Sequence, residues 1–466
     1  MKTLILASFL SAPGGTGDAA SLAVEKRAAE LSTLNRTIWS AAEVGLAETR
    51  SSGALAEFLA KNGFSVRARV AGMPTAFVAE AGSGKPVVGL LAEYDALPGM
   101  SQNAAPRREP ATPGAAGHAC GHSLFGVASA AAAVAAREAL GASPGTIRLY
   151  GTPAEETGIG KLYMAREGLF DDCDVVLTWH ARDRTTSDFS STKAVVSAKF
   201  RFRGRAAHAS LSPAEGRSAL DGVELMDVGA NYLREHVPED ARIHYVVTDG
   251  GGQPNVVPPT AEVWYYVRAD RFADVERLFA RLLDVARGAA LMSGTEVSHE
   301  IQSECHEVLV NRPLAERIHA NLTEVGPPVF TDEERAFARE TQGDLGSAFE
   351  KGLADSIDPL PDAPGLMKAS TDVGEVSWRV PVGALQVACY TYGAPGHSWQ
   401  IVACGGTAIG EKGMLVAAKT LARTAVDLMR DPALREAARR DFERRRGSTQ
   451  LRSLLLEGQR APKAIR

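Results

Sequence analysis

The sequence predicts an α/β fold interrupted by a smaller α+β domain. Three observations predict it. Up to about residue 192, short apolar strand-like runs alternate with helix-like stretches; from 193 to 303 the order becomes β-α-β-β-α-β; beyond 303 the first rhythm returns. At 466 residues the chain is too long for one ordinary core, which fits a two-domain reading.

Taken in order, Asp18 reads as the N-cap of a helix with an apolar stripe through Leu22, Val24 and Leu31. A second helix runs from Ser51 to Lys61, with Gly63 as its stop. Strands follow at Phe64–Val70, Thr75–Glu80 and Val87–Ala92, the last leading straight into Glu93-Tyr94-Asp95. An Ala-rich helix from Leu124 to Leu140 ends at Gly141, and a strand at Thr146–Gly151 precedes Glu155-Glu156. A helix at Lys161–Glu167 and a strand at Asp174–Thr178 lead to Trp179-His180.

The β-α-β-β-α-β segment is ferredoxin-like. Its strands are Ala194–Arg203, Arg242–Thr248, Ala261–Ala269 and Glu296–Gln302, and its helices Ser218–Glu235 and Ala273–Ala290. The expected domains are therefore 1–192 and 304–446 for the larger unit, 193–303 for the insert, and a tail over 447–466. Residues 330–369 are polar and acidic and read as an insertion loop with one helix-like stretch. The strand Ala384–Tyr392 and helix Gly413–Leu428 resume the larger domain. The Arg-rich stretch from Arg430 reads as a solvated helix with a frayed end and no apolar stripe.

Composition narrows the function. The chain is 45% apolar and 23% charged with a net charge of −5, so it has no basic footprint for nucleic acid. No apolar run reads as a membrane span. Five scattered cysteines make no disulfide framework and fit a reducing compartment. Met1–Ala12 resembles a short export signal, but a cut after Ala12 would put Leu10 three residues back and Pro13 just after it. Cytoplasmic residence is expected.

Histidine and cysteine are scarce, at ten and five, so their positions carry information. Cys120-Gly121-His122 opens the Ala-rich helix; Glu155-Glu156, His180 and His397 each follow a strand. Ligands of open α/β sheets gather at carboxyl ends of strands, so these sites can converge. Thiolate, imidazole and carboxylate together suit zinc-like or manganese-like ions. Two adjacent glutamates in an extended loop would point opposite ways, one toward metal and one toward water. A metal ion lowers the pKa of water toward neutrality, and a glutamate can take the proton. Each site also has a plain structural reading: a buried thiol with a capping imidazole, a solvated Glu-Glu loop, a core histidine at 180, and a turn residue at 397.

The runs GLLAEYDALPGM, GHACGHSLFG, TPAEETGIGKLYMAREGLFDD, LTWH, AAHASLSPAEGRSALD, PNVVPPTAEV, STDVGEVSW and GHSWQ resemble the aminoacylase and carboxypeptidase family of dinuclear-metal hydrolases. They look most like the branch with p-aminobenzoyl-glutamate hydrolase and indole-acetyl-amino-acid hydrolases, and the resemblance spans roughly residues 18 to 430. It implies a zinc-exopeptidase-like α/β/α catalytic domain carrying a ferredoxin-like lid and dimerisation domain. It also implies hydrolysis of a small N-acyl or aroyl amino acid by a homodimer with two divalent cations, zinc or manganese. By resemblance, Cys120, His122, Glu156, His180 and His397 are metal ligands, Glu155 is the general base and Asp95 supports the site. His208 would reach the partner subunit's site and steady the oxyanion, while Asn255 and Arg268 would contact substrate.

The sequence departs from the family at Ser123, where Asp or Asn is usual, and at Ala181, where proline is common. Ser123 is expected to keep one orienting hydrogen bond. Two other readings remain open. A cysteine hydrolase would use Cys120 as nucleophile and His122 as base, and a catalytically degenerate binding protein would use neither.

Overall fold

A computed structural model describes residues 16–343, 345 and 352–464 of the protein. The apolar start Met1–Ala12 lies outside the described residues. The amino-terminal part contains α1 (Thr16–Glu25), α2 (Ala28–Ala41), α3 (Thr49–Lys61), β1 (Ser65–Ala68), β2 (Phe77–Ser83), β3 (Val87–Ala92), α4 (His122–Leu140), β4 (Gly145–Gly151), α5 (Gly160–Arg166) and β5 (Val175–Arg182). The short strands β6 (Thr186–Asp188) and β7 (Ser190–Thr192) follow. The next segment comprises β8 (Ala194–Arg203), α6 (Ala219–Leu233), β9 (Arg242–Asp249), β10 (Thr260–Ala269), α7 (Phe272–Ser293) and β11 (Glu296–Cys305). The chain then forms α8 (Arg312–Val325), α9 (Asp332–Thr341), β12 (Gly365–Met367), α10 (Val373–Ser377), β13 (Val382–Ala388), α11 (Trp399–Gly405), α12 (Ala408–Arg430) and α13 (Pro432–Arg446).

Among the described residues, seven strands form one sheet in the order β1-β2-β4-β3-β5-β13-β6. Its centre, β4-β3-β5-β13, is parallel, and antiparallel strands flank it on both sides. The central strand β3 is apolar along its whole length, and every residue of it is buried, as a parallel strand sealed inside an α/β sheet requires. The second sheet runs β11-β8-β10-β9, all antiparallel, with α6 and α7 packed on it, the ferredoxin-like arrangement. The two crossings between the units lie side by side, since Cys305 at the end of β11 pairs with Val195 at the start of β8.

Several expectations need correction. The first helix is two helices broken at residues 26–27, with Asp18 in its first turn instead of at its cap. Leu22 faces solvent, and Ala20, Ala23 and Val24 make the buried stripe. The 304–329 stretch, which carried no expected element, contains α8. Its Asn311 cap accepts from the Leu314 N–H, and Leu314, Ile318 and Leu322 are buried at helical spacing. The helix-like stretch expected within 330–369 is present as α9, which opens on a Thr331–Glu334 capping box. Helix α4 does have the length and apolarity of a membrane span, yet it is a core helix packed against α1, α2, α12 and the sheet.

The carboxyl terminus is not a frayed solvated helix. Ala438 and Phe442 of α13 are buried one turn apart, with Leu434 half-buried a turn before them, and α13 packs on α8. The following tail binds too. The Leu454 N–H donates to Glu304 at 2.7 Å, and Gln459 Nε2 donates to the Ile301 carbonyl at 2.8 Å.

Candidate metal centre

The carboxyl ends of β3, β4, β5 and β13 open on one edge of the sheet, and the candidate ligands gather there. Gly121 precedes α4 with a φ of 80°, which a side chain would disfavour, and a Cβ there would come 2.8 Å from the Ala181 Cβ. This close approach brings Cys120 onto β5: its Sγ lies 3.5 Å from His180 Nε2. His397 also adopts a left-handed φ of 57°, unusual for a side-chain-bearing residue, and its Nε2 lies 3.2 Å from Glu156 Oε2.

Glu155 and Glu156 do not form an extended pair. They occupy a 3-10 turn, Glu155–Thr157, entered through Ala154 at a φ of 55°. Both still reach the centre: Glu155 Oε2 and Glu156 Oε1 lie 3.9 Å from the two ring nitrogens of His122. Asp95 orients this cluster, with Oδ1 2.9 Å from His122 Nδ1 and Oδ2 accepting the Glu156 N–H at 3.0 Å. Burial alone would raise the Asp95 carboxyl, but the His122 imidazole beside it holds it below its ordinary range. Ser123 Oγ is buried and finds no hydrogen-bond partner among the described residues, so the expected Ser123 contact does not form. Asp95 makes the orienting contact to His122 instead.

Three sets of side chains each bring their donor atoms within 4.8 Å of one another: Cys120, His122 and His180; Cys120, Glu156 and His397; and Glu93, His122 and Glu155. Cys120 is common to the first two, so its thiolate could join two cation positions. Glu93 Oε2, His122 Nε2 and Glu156 Oε1 are buried without hydrogen-bond partners, although the first two stand only 3.2 Å apart, out of alignment. Orphaned buried donors and acceptors of this kind are costly unless something satisfies them, and a cation does so. The donor set fits a divalent metal. Burial, and then the nearby Glu93 carboxylate, push Glu155 well above the ordinary carboxyl range, and a cation beside it would oppose that shift.

The site opens into a cavity of about 370 Å³ lined by Cys120, Glu155, Glu156, His180 and His397. Arg268 lines it from the second sheet and donates from Nη1 to Ser370 Oγ at 2.8 Å. His208 and Asn255 do not line it. Both are exposed beside each other in loops of the lid, where the Ala209 N–H donates to the Asn255 carbonyl at 2.9 Å and His208 Nδ1 accepts from Leu211 N–H at 3.1 Å.

Sequence reasoning missed Glu93, Lys161 and Asp372. Lys161 Nζ sits between the Glu93 and Asp372 carboxylates at 2.8 and 2.6 Å, and all three side chains are sealed from solvent. The signal was present in part: Glu93 follows an unbroken apolar strand, a costly place for an unpaired carboxylate.

Residues 89–427 match the sequence pattern of Peptidase family M20/M25/M40. The chain is 42% identical over 434 residues to one of the subunits of p-aminobenzoyl-glutamate hydrolase from Escherichia coli (strain K12), covering 87% of this chain and 90% of that one. It is 32% identical over 459 residues to Xaa-Arg dipeptidase of Mus musculus, covering 92% and 94%. Its fold matches that of a Bacillus subtilis protein described as a dinuclear metal binding peptidase from the M20 family. The TM-score is 0.58 at 15% identity, over 87% of this chain and 99% of that one. The family match, the α/β unit with its inserted lid and the cluster of metal-ligand side chains agree, and the chain belongs to Peptidase family M20/M25/M40 as a hydrolase of amide bonds.

Proposed function

We propose that the protein is a homodimeric hydrolase that cleaves the amide of a small N-acyl or aroyl amino acid, p-aminobenzoyl-glutamate or a close analogue. Cys120, His122, Glu156, His180 and His397 hold two divalent cations, zinc or manganese. The observation that carries this reading is the convergence of these five side chains, from separate stretches of sequence, with Cys120 shared between two donor sets. Bound cations would supply Lewis acidity to the scissile carbonyl and make water more acidic.

Glu155, whose Oε2 lies 3.9 Å from His122 Nε2, takes the proton from that water and delivers it to the leaving nitrogen. Arg268 binds the substrate carboxylate through its planar fork. Asp95 holds the His122 ring in place through Nδ1, leaving Nε2 as the ligand atom. The name of the Escherichia coli relative supports the substrate class. The exposed placement of His208 and Asn255 supports a partner copy of the chain, because neither reaches the cavity of its own.

The test combines chelation with one substitution. Chelator should abolish hydrolysis of p-aminobenzoyl-glutamate, and added zinc or manganese should restore it, whereas a Cys120 nucleophile would keep working. Glu155→Gln should retain metal and lose turnover by a factor of about 100 or more. Activity that survives metal removal would overturn the proposal.

A further inference from the structure

Arg182 stands two residues beyond His180 on β5, so the two side chains leave the strand on the same face, about 7 Å apart along it. Its guanidinium lines the same cavity as the candidate ligands. No ion pair among the described residues neutralises it: the Tyr390 hydroxyl, the Cys120 thiol and the Asp188 carboxylate around it favour its charge, but none of them pairs with it as a salt bridge. Nη2 donates to the thioether of Met367 at 3.0 Å, a weak acceptor, and Nε is buried without a hydrogen-bond partner. Among the described residues no carboxylate forms an ion pair with it. Asp188 lines the cavity nearby, but its oxygens are occupied by neutral donors, the Ser190 N–H at 3.1 Å and Gln386 Nε2 at 2.8 Å.

A guanidinium withdrawn from water without an anion is expensive, and such groups persist where a ligand supplies the counter-charge. The cavity holds a second cation of the same kind. Arg268 enters from the lid sheet with Ser370 and His244 as its neutral hydrogen-bond partners. One cavity therefore presents two guanidinium groups, one from each sheet, to whatever lies over the candidate metal ligands.

We infer that Arg182 binds a second substrate carboxylate, distinct from the one held by Arg268, so that the enzyme selects dianionic acyl-amino acids. The inference rests on the amide-hydrolase reading above and names the substrate class within it. The second carboxylate can belong to the amino acid side chain or to the acyl group. An Arg–carboxylate pair is directional and, in a closed cavity, discriminates strongly against a neutral isostere that leaves the guanidinium unpaired.

The experiment compares N-benzoyl-glutamate with N-benzoyl-glutamine, equal in length but different in charge, and adds N-succinyl-glutamine, whose second charge lies on the acyl side. For wild type, kcat/KM should favour at least one dianion over N-benzoyl-glutamine by a factor of about 10 to 100. The favoured one identifies which side of the amide Arg182 reads. Arg182→Gln should collapse that ratio to near one, and Arg182→Lys should restore part of it.

A wild-type ratio near one overturns the inference. So does an Arg182→Gln variant that loses activity on every substrate in equal proportion, since that would make Arg182 a support for the ligand cluster. If metal-loaded wild type hydrolyses none of the three, the proposed function fails separately. Calorimetric titration of the same compounds then reads the charge preference without turnover, and equal binding of N-benzoyl-glutamate, N-succinyl-glutamine and N-benzoyl-glutamine would overturn the inference there too.

Discussion

The Lys161 ammonium lies 2.8 Å from the Glu93 carboxylate, and neither side chain reaches solvent. Asp372 completes the group at 2.6 Å and also accepts the Lys161 backbone N–H at 2.8 Å, pinning the start of α5. The lysine holds one oxygen of Glu93, which leaves Oε2 turned toward His122 and the metal-ligand cluster. Charges buried this deeply are tolerated only together. Lys161→Met should cost about 3–5 kcal/mol by urea denaturation, because it strands two carboxylates in the core. Adding Asp372→Asn should recover part of that loss. A single variant as stable as wild type would mean that water enters the group.

Asp95 offers a test of orientation apart from ligation. Its carboxylate contacts His122 Nδ1 at 2.9 Å and receives the Glu156 N–H at 3.0 Å, so it steadies two proposed ligands at once. Asp95→Asn keeps the size of the side chain and removes its charge. Metal affinity should fall about 10- to 100-fold, measured by competition with a chromophoric chelator. Undiminished affinity with unchanged metal stoichiometry would remove Asp95 from the support of the site.

Much of this architecture is legible in the sequence because local chemistry agrees with the fold. The β-α-β-β-α-β order announces the lid, and Cys120, His122, His180 and His397 stand out because cysteine and histidine are rare and follow strands or open a helix. The acidic and basic members of the site are harder to read. Lys161 and Asp372 are 211 residues apart and mean nothing until the fold joins them. Arg182 carries no signal of its own in the sequence, since the expected strand stops at Thr178 and β5 runs on to Arg182. The helix α13 is legible but its packing is not: its apolar buried face is carried by Leu434, Ala438 and Phe442, a stripe too sparse to register among so many arginines.

Glu304 gives the protein a pH-dependent stability away from the metal ligands. Its side chain is buried; one oxygen accepts the Leu454 N–H at 2.7 Å, and the other has no partner. Burial, and then the Glu375 carboxylate, push it up from 4.5 to about 7. The folded state therefore keeps a proton that the unfolded chain releases near its ordinary pKa. Stability should fall as pH rises from about 4.5 to 7 and level off above, with a total contribution up to about 3 kcal/mol. Urea midpoints taken at pH 5 and pH 8 in excess chelator should differ less for Glu304→Gln than for wild type. Equal differences would show that Glu304 titrates normally.

His208 tests the assembly. It sits exposed on the lid, outside the cavity of its own chain, beside Asn255, and its neighbours Leu211 and Val256 are exposed apolar side chains. Val246 and Val247 lie exposed on β9, the free edge of the lid sheet, and Val228 and Tyr232 are exposed on α6. Pairing of two lids would cover this surface, and a two-fold arrangement would bring each copy's His208 toward the other's metal centre. An imidazole placed there can donate to the charge that develops on the scissile oxygen, a contribution worth about 10²- to 10³-fold in turnover where water is excluded. His208→Ala and Glu155→Gln should each be nearly inactive alone. Mixed under conditions that exchange subunits, they form heterodimers in which one site has lost both residues and the other keeps its own Glu155 and an intact His208 from the partner. Statistical exchange makes about half of all dimers mixed, each with one intact site, so activity should return to about a quarter of wild type. If exchange is demonstrated by mass and no activity returns, His208 does not serve the partner's site and the lid has a different role.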